Sequence, residues 1–210
     1  MPAPEWSDPE HAHRYLRRWA SATEPDPGEA TLLEMLPEGT RRILDLGTGD
    51  GRLLALLLDA IPDASGVGLD ASQLMLDAAQ ERFAGNPRVR LREHDLSEPL
   101  PDLGRFDAVV SRMAIHHLEH PRKRALYAEA FELLGPGGTF ANLEHVASPS
   151  RRLHEQFFAA IDEPLEQEDP SDRLLDVETQ LGWLREVGFA EVDCHWKWRE
   201  LALLGGLRPA

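Results

Sequence analysis

Along most of this chain, apolar and polar residues alternate between two periods. Two N-terminal stretches, about Pro9 to Ala22 and Gly28 to Leu36, carry apolar residues at helical spacing and are separated by the turn-rich Glu24-Pro25-Asp26-Pro27-Gly28. From Arg41 onward, short apolar runs interleave with longer helical patterns: Ile43 to Leu46, Leu53 to Ala60, Val67 to Leu69, Gln73 to Phe83, Val89 to Leu91, Phe106 to Val110, Lys123 to Leu134 and Phe140 to Val146. Short strands separated by helices predict an α/β fold, a parallel sheet with helices on both faces. Asp176 to Val187 reads as a last helix ended by Gly188, and Val192 to Trp198 with Leu201 to Leu204 read as two strands close enough to form a hairpin. Trp183, on that helix, and Trp196 and Trp198, which alternation puts on one face, are expected in the core or on the sheet. No internal repeat is present.

Asp45-Leu46-Gly47-Thr48-Gly49-Asp50-Gly51 directly follows the first apolar run and leads into the helical pattern at Arg52 to Leu58. Glycine tolerates positive φ and lets backbone approach a ligand closely, and a helix start offers unpaired N–H groups. A dinucleotide fingerprint would need a third glycine where Arg52 stands, so a nicotinamide enzyme is the weaker reading. The G-x-G-x-G spacing, with Asp45 before it, resembles motif I of the class I S-adenosylmethionine (SAM) dependent methyltransferases. Further resemblances follow in that family's order: Gly66-Val67-Gly68-Leu69-Asp70, Asp70-Ala71-Ser72-Gln73-Leu74-Met75-Leu76, His94-Asp95-Leu96, Phe106 to Ser111, and Leu133-Leu134-Gly135-Pro136-Gly137-Gly138.

The resemblance covers roughly residues 40 to 146. It implies a Rossmann-like, doubly wound, seven-stranded sheet, mostly parallel with an antiparallel last strand. It also implies SAM as co-substrate and S-adenosylhomocysteine as product. Asp45, Gly47, Thr48, Gly49 and Gly51 would shape the methionine pocket, Asp70 with Ala71 would meet the ribose, Met75 would pack on the adenine, and Asp95 with Leu96 would bound it. Ser111 would begin the loop whose backbone carries the methionine end. A carboxylate such as Asp70 suits a ribose because it offers two acceptor oxygens to a diol's two donors.

Methyl transfer needs alignment above all, and a base only for some acceptors. His116 and His117 follow the fourth strand, and Glu144 ends the fifth. These three are the candidates for chemistry, and the histidines read either as a base, having an ordinary pKa of ~6.5, or as packing and cofactor-positioning residues. His116, His117, His120, Glu144 and His145 also make a possible metal set, but their spacing reproduces no zinc or iron signature, and no metal is expected.

The 210 residues read as a single domain: a helical lid over 1–38 bearing Trp6, Tyr15 and Trp19, a SAM-binding core over 40–146, a substrate-side insert over 147–175, and a final helix with closing strands over 176–210. In the insert, Phe157, Phe158 and Ile161 precede an acidic run of Asp162, Glu163, Glu166, Glu168, Asp169 and Asp172, which either steers an amine-bearing substrate or is simply a solvated loop.

Thirty-seven acids against 22 bases leave a formal charge of −15, which opposes long nucleic-acid partners unless one of the arginine clusters is concentrated into a patch. The lone Cys194, the absence of a run of ~20 apolar residues and the lack of an apolar leader favour a cytoplasmic protein without a membrane partner, monomeric or homodimeric. The leading expectation is a methyltransferase acting on a small molecule. A protein or tRNA methyltransferase and a SAM-binding regulatory module without turnover are the alternatives.

Overall fold

The computed structural model describes residues 26–210. The Pro9–Ala22 stretch and its aromatics Trp6, Tyr15 and Trp19 lie outside the described residues.

In chain order the elements are α1 (Pro27–Glu34), β1 (Arg42–Leu46), α2 (Arg52–Ala60), β2 (Ser65–Asp70), α3 (Gln73–Arg82), β3 (Val89–Glu93) and β4 (Phe106–Arg112). A 3₁₀ turn (Ile115–His117), α4 (His120–Leu133), β5 (Leu134–His145), α5 (Arg151–Ala160), a 3₁₀ turn (Leu165–Gln167), α6 (Val177–Val187), β6 (Ala190–Trp198) and β7 (Leu201–Leu207) complete the chain. One seven-stranded sheet forms in the order β3-β2-β1-β4-β5-β7-β6. The β1 to β5 pairings are parallel, and β7 enters antiparallel between β5 and β6. This is the seven-stranded doubly wound sheet that the sequence predicts.

The central strands are apolar on both faces because both are covered. Leu44, Leu46, Val109 and Phe140 join Leu126, Tyr127, Leu181 and Leu184 of α4 and α6 in one core. Ile43, Ala108, Val110 and Leu143 join Leu32, Leu54 and Leu57 of α1 and α2 in the other. The predicted ends of α6 hold to a residue: the Asp176 side chain accepts from Thr179 N, and Gly188 closes the helix at φ 116°. α5, within the insert, is an element that the sequence reading does not anticipate. Ser150 caps it and its Phe157 and Phe158 are buried, a spacing of apolar residues with Leu153 that fits a helix.

Of the tryptophans, Trp183 and Trp196 pack partly buried against the two cores, while Trp198 remains 41% exposed. A register irregularity between Cys194 and Trp196 interrupts the simple alternation of β6.

Candidate active site

Strand order reverses at β1 and β4, and ligands of open α/β sheets gather beyond the strand ends at such a point. A cleft of about 640 Å³, open to solvent, lies there. Gly47, Gly49, Asp70, Ala71, Met75, Asp95 and Leu96 line it, joined by Arg112, Met113, Ala114, His117 and Leu118.

The floor is the loop after β1. Gly47 has φ 71°, and a Cβ there would stand 2.2 Å from Ala114 Cβ, so this crossing of two loops requires glycine on both conformational and steric grounds. Met113, at φ 52°, turns the chain out of β4 and presents Ala114 to that crossing. Gly51 starts α2 at φ 77° under Phe83.

Asp70, at the end of β2, accepts from Gly49 N and Ser72 N at 2.8 Å each. Burial nevertheless holds its carboxyl above the ordinary range, against the opposing pull of these backbone donors. Asp95 accepts from Ser97 N at 2.8 Å, which fixes the turn after β3.

Four of the predicted cofactor residues lie behind the cleft lining. Asp45 is 1% exposed, and its Oδ2 accepts from Thr48 Oγ1 at 2.7 Å. Its Oδ1 is buried with no hydrogen-bond partner, and burial, with Asp70 and Asp50 nearby, pushes its carboxyl up to about 7. Thr48 is therefore a support for Asp45 and for the loop, its N donating to Leu69 O. Gly51 shapes the helix start, and Ser111 is fully buried with its hydroxyl donating to Leu46 O at 2.7 Å. Glycines that admit close backbone approach, an acceptor pair at Asp70 and an orphaned buried acid at Asp45 together suit a ligand carrying a diol and a positive charge.

Arg52, where a third glycine would stand in a dinucleotide fold, turns to Glu29 of α1, its Nη2 donating to Oε2 at 2.9 Å. Arg112 meets the same carboxylate, Nε to Oε1 2.7 Å. Glu29 is fully buried, so this ion cluster fastens α1 beside the cleft. It has no sequence period and is invisible to motif reading.

The three candidates for chemistry meet at one end of the cleft. His117 lines it, while His116 is buried behind, its Nδ1 2.6 Å from Glu144 Oε1. Glu144, 1% exposed, also accepts from His145 N at 2.9 Å. Asp172 of the insert turns inward among them, 3.5 Å from His116 Nε2 and 3.4 Å from both His117 Nδ1 and His145 Nδ1. His145 Nε2 in turn sits 3.0 Å from Glu200 Oε2. Burial disfavours the His145 imidazolium, but Asp172 and Glu200 outweigh burial and push it up to about 9.

Sequence reading placed Asp172 in an acidic run, and no motif marks it out. Within that run Glu166 and Glu168 are exposed, whereas Asp172 is drawn in by the backbone: Arg173 N donates to His116 O at 3.0 Å. Lys123, 2% exposed, donates to the same His116 carbonyl at 2.9 Å and also to Arg173 O. His120, by contrast, is exposed at the start of α4 and stands apart from the cluster.

A family model described as a methyltransferase domain matches residues 43–138. An uncharacterized methyltransferase of Mycobacterium bovis is 42% identical over 124 residues, 59% of this chain and 60% of that protein. The match thus spans about three fifths of that relative's length. A demethylmenaquinone methyltransferase of Clavibacter sepedonicus is 31% identical over 179 residues, 78% of this chain and 71% of that protein. Among solved structures, the S-adenosylmethionine-dependent methyltransferase SibL in its apo form superposes over 100% of this chain and 60% of its own, with TM-score 0.70 and 23% identity.

Proposed function

The chain belongs to the class I S-adenosylmethionine-dependent methyltransferases, and from that premise we propose that it transfers a methyl group from SAM to a small-molecule acceptor. The observation that carries this reading is the continuity of the cleft: its glycine and carboxylate floor runs without a break to His117 and the buried His116–Glu144 pair behind it.

SAM would supply an electrophilic methyl, which an acceptor attacks in line as the methyl–sulfur bond breaks and S-adenosylhomocysteine leaves. The protein's part is alignment, and correct approach alone is worth about 7 to 11 kcal/mol. Gly47 and Gly49 admit the methionine end, Asp70 and Ala71 hold the ribose, and Met75, Asp95 and Leu96 bound the adenine. Asp45, its Oδ1 otherwise unpartnered, faces the positive charge of the ligand from beneath the loop. His117 and the His116–Glu144 pair handle the acceptor and its proton. The insert, with Phe157 and Phe158 of α5 buried and Phe157 packed 5.3 Å from the His145 ring, closes the acceptor side. A small acceptor is favoured by the names of relatives such as the demethylmenaquinone methyltransferase and a trans-aconitate 2-methyltransferase of Methylobacterium radiotolerans.

Calorimetric titration with SAM, S-adenosylhomocysteine and NAD tests the cofactor. Micromolar binding of the first two, lost in Asp70→Ala, is expected. Binding of NAD instead, or of none, overturns it. Labelled methyl donor incubated with candidate acceptors then reads turnover.

A further inference from the structure

The cluster at the acceptor end has a geometry that hydrogen bonding alone does not explain. Asp172 is 9% exposed by its side chain, and its Oδ1 is buried with no hydrogen-bond partner. Two imidazole nitrogens nevertheless converge on that oxygen, His116 Nε2 at 3.5 Å and His117 Nδ1 at 3.4 Å. Such separations exceed a hydrogen bond. They match the edges of a coordination polyhedron, because ligand atoms ~2.0–2.1 Å from a tetrahedral ion stand about 3.4 Å from one another.

At His116 the proton is disposed to suit. Glu144 Oε1, 2.6 Å from His116 Nδ1, keeps the proton on that nitrogen and leaves the Nε2 lone pair facing Asp172. The Ser171 hydroxyl donates to Asp169 Oδ1 at 2.7 Å and so accepts from His117 Nδ1 at 2.9 Å, and an ion bound at that nitrogen would displace its proton, as metal binding to imidazole generally does. His145 Nδ1, 3.4 Å from Asp172 Oδ2, orients the carboxylate from its other side and is backed by Glu200. Each donor of the set therefore has a neighbour of its own that fixes its direction, as metal ligands generally do.

We propose that His116, His117 and Asp172 bind one divalent transition-metal ion, their three ligand atoms lying within 4.8 Å of one another. Two imidazoles and a carboxylate suit zinc, cobalt or ferrous iron and leave a coordination position open. His117 lines the cleft, so an ion held there would stand at its wall. The expectation of no metal rested on sequence spacing, which does not reach Asp172 in the insert. On the methyl-transfer reading, an acceptor oxygen at the open position would ionise more readily, and the histidines would act through the ion rather than as free bases. The metal site itself does not depend on that reading.

Untagged protein stripped with a chelator and titrated with ZnCl₂ by calorimetry is the test, with CoCl₂ titrated in parallel and followed by its visible absorption. One ion per chain with micromolar or tighter affinity is expected, with cobalt bands that zinc abolishes. His116→Gln and Asp172→Asn should each weaken binding at least 100-fold, and Glu144→Gln about 10- to 100-fold. His120→Gln, away from the cluster, should leave it unchanged. Fewer than 0.2 equivalents bound by folded wild type, or undiminished binding in folded Asp172→Asn, overturns the site; the wild-type titration decides even if a variant fails to fold. SAM binding is measured separately, so loss of the metal inference leaves the cofactor reading standing.

Discussion

At the scale of single residues, the loop after β1 shows how a side chain's environment sets its chemistry. Asp45 is an acid with one oxygen satisfied by Thr48 and the other orphaned, and burial lifts its folded pKa from 3.8 to about 7. The folded protein therefore holds a proton that the unfolded chain releases between those values, so stability falls as pH rises from about 4 to about 7 and levels off above. Asp45→Asn removes this titration, and urea melts across that range should show a flatter profile, the variant gaining on the order of 3 kcal/mol relative to wild type at the upper end. If the variant keeps the wild-type slope, the acid is not the source of it. On the proposed reading, in which Asp45 faces the ligand's positive charge, the same substitution should weaken SAM binding at neutral pH. Gly47 was legible in the sequence for a related reason: left-handed φ and a close crossing demand one residue type locally, so the requirement is written at the position itself.

Among elements, the decisive contact is between the 3₁₀ turn of His116 and His117 and the loop preceding α6. Lys123 of α4 binds carbonyls on both sides of that junction, and Arg173 N adds a third bond. Burial lowers the Lys123 ammonium to about 8, although Glu144 and Asp172 nearby favour its charge. Lys123→Met leaves the Arg173 carbonyl and half of the His116 carbonyl's bonding unmet, and should cost about 1–3 kcal/mol in a thermal or urea melt. It should also speed limited proteolysis within 162–175; unchanged cleavage there would show that the junction does not depend on the lysine. Strands and helices were readable here because apolar period reports burial of a whole face, as in β1, β4 and α6. The inward turn of Asp172 was not, since a single acid in a polar loop carries no period, and its neighbours Glu166 and Glu168 stay in water. α5 lies between these cases: Leu153, Phe157 and Phe158 have helical spacing, but so few apolar positions among polar neighbours do not mark out the helix that carries them.

For the molecule as a whole, charge and architecture act together. The formal charge of −15 is little offset at the cleft, where Asp70 and Asp95 line the wall, Asp45, Glu144 and Asp172 lie behind it, and the lining Arg112 is paired with Glu29. A long polyanion approaching this face meets repulsion, and a gel-shift titration with tRNA across salt concentrations should show no complex that weakens as salt rises. A salt-sensitive complex would instead favour a nucleic-acid substrate. Among the described residues no helix is long and apolar enough to cross a membrane. The fold and the glycine and carboxylate floor of the cleft follow from the order of residues, because strand periodicity, turn glycines and the acids at strand ends are each dictated by neighbours close in the chain. The acceptor end is a product of assembly. His116 comes from the turn after β4, Glu144 from the end of β5, Asp172 from the insert and Glu200 from the hairpin between β6 and β7. Only the parallel sheet, by bringing the carboxyl ends of β4 and β5 side by side, and the Lys123 junction, by folding the insert across them, make one cluster of residues that share no motif.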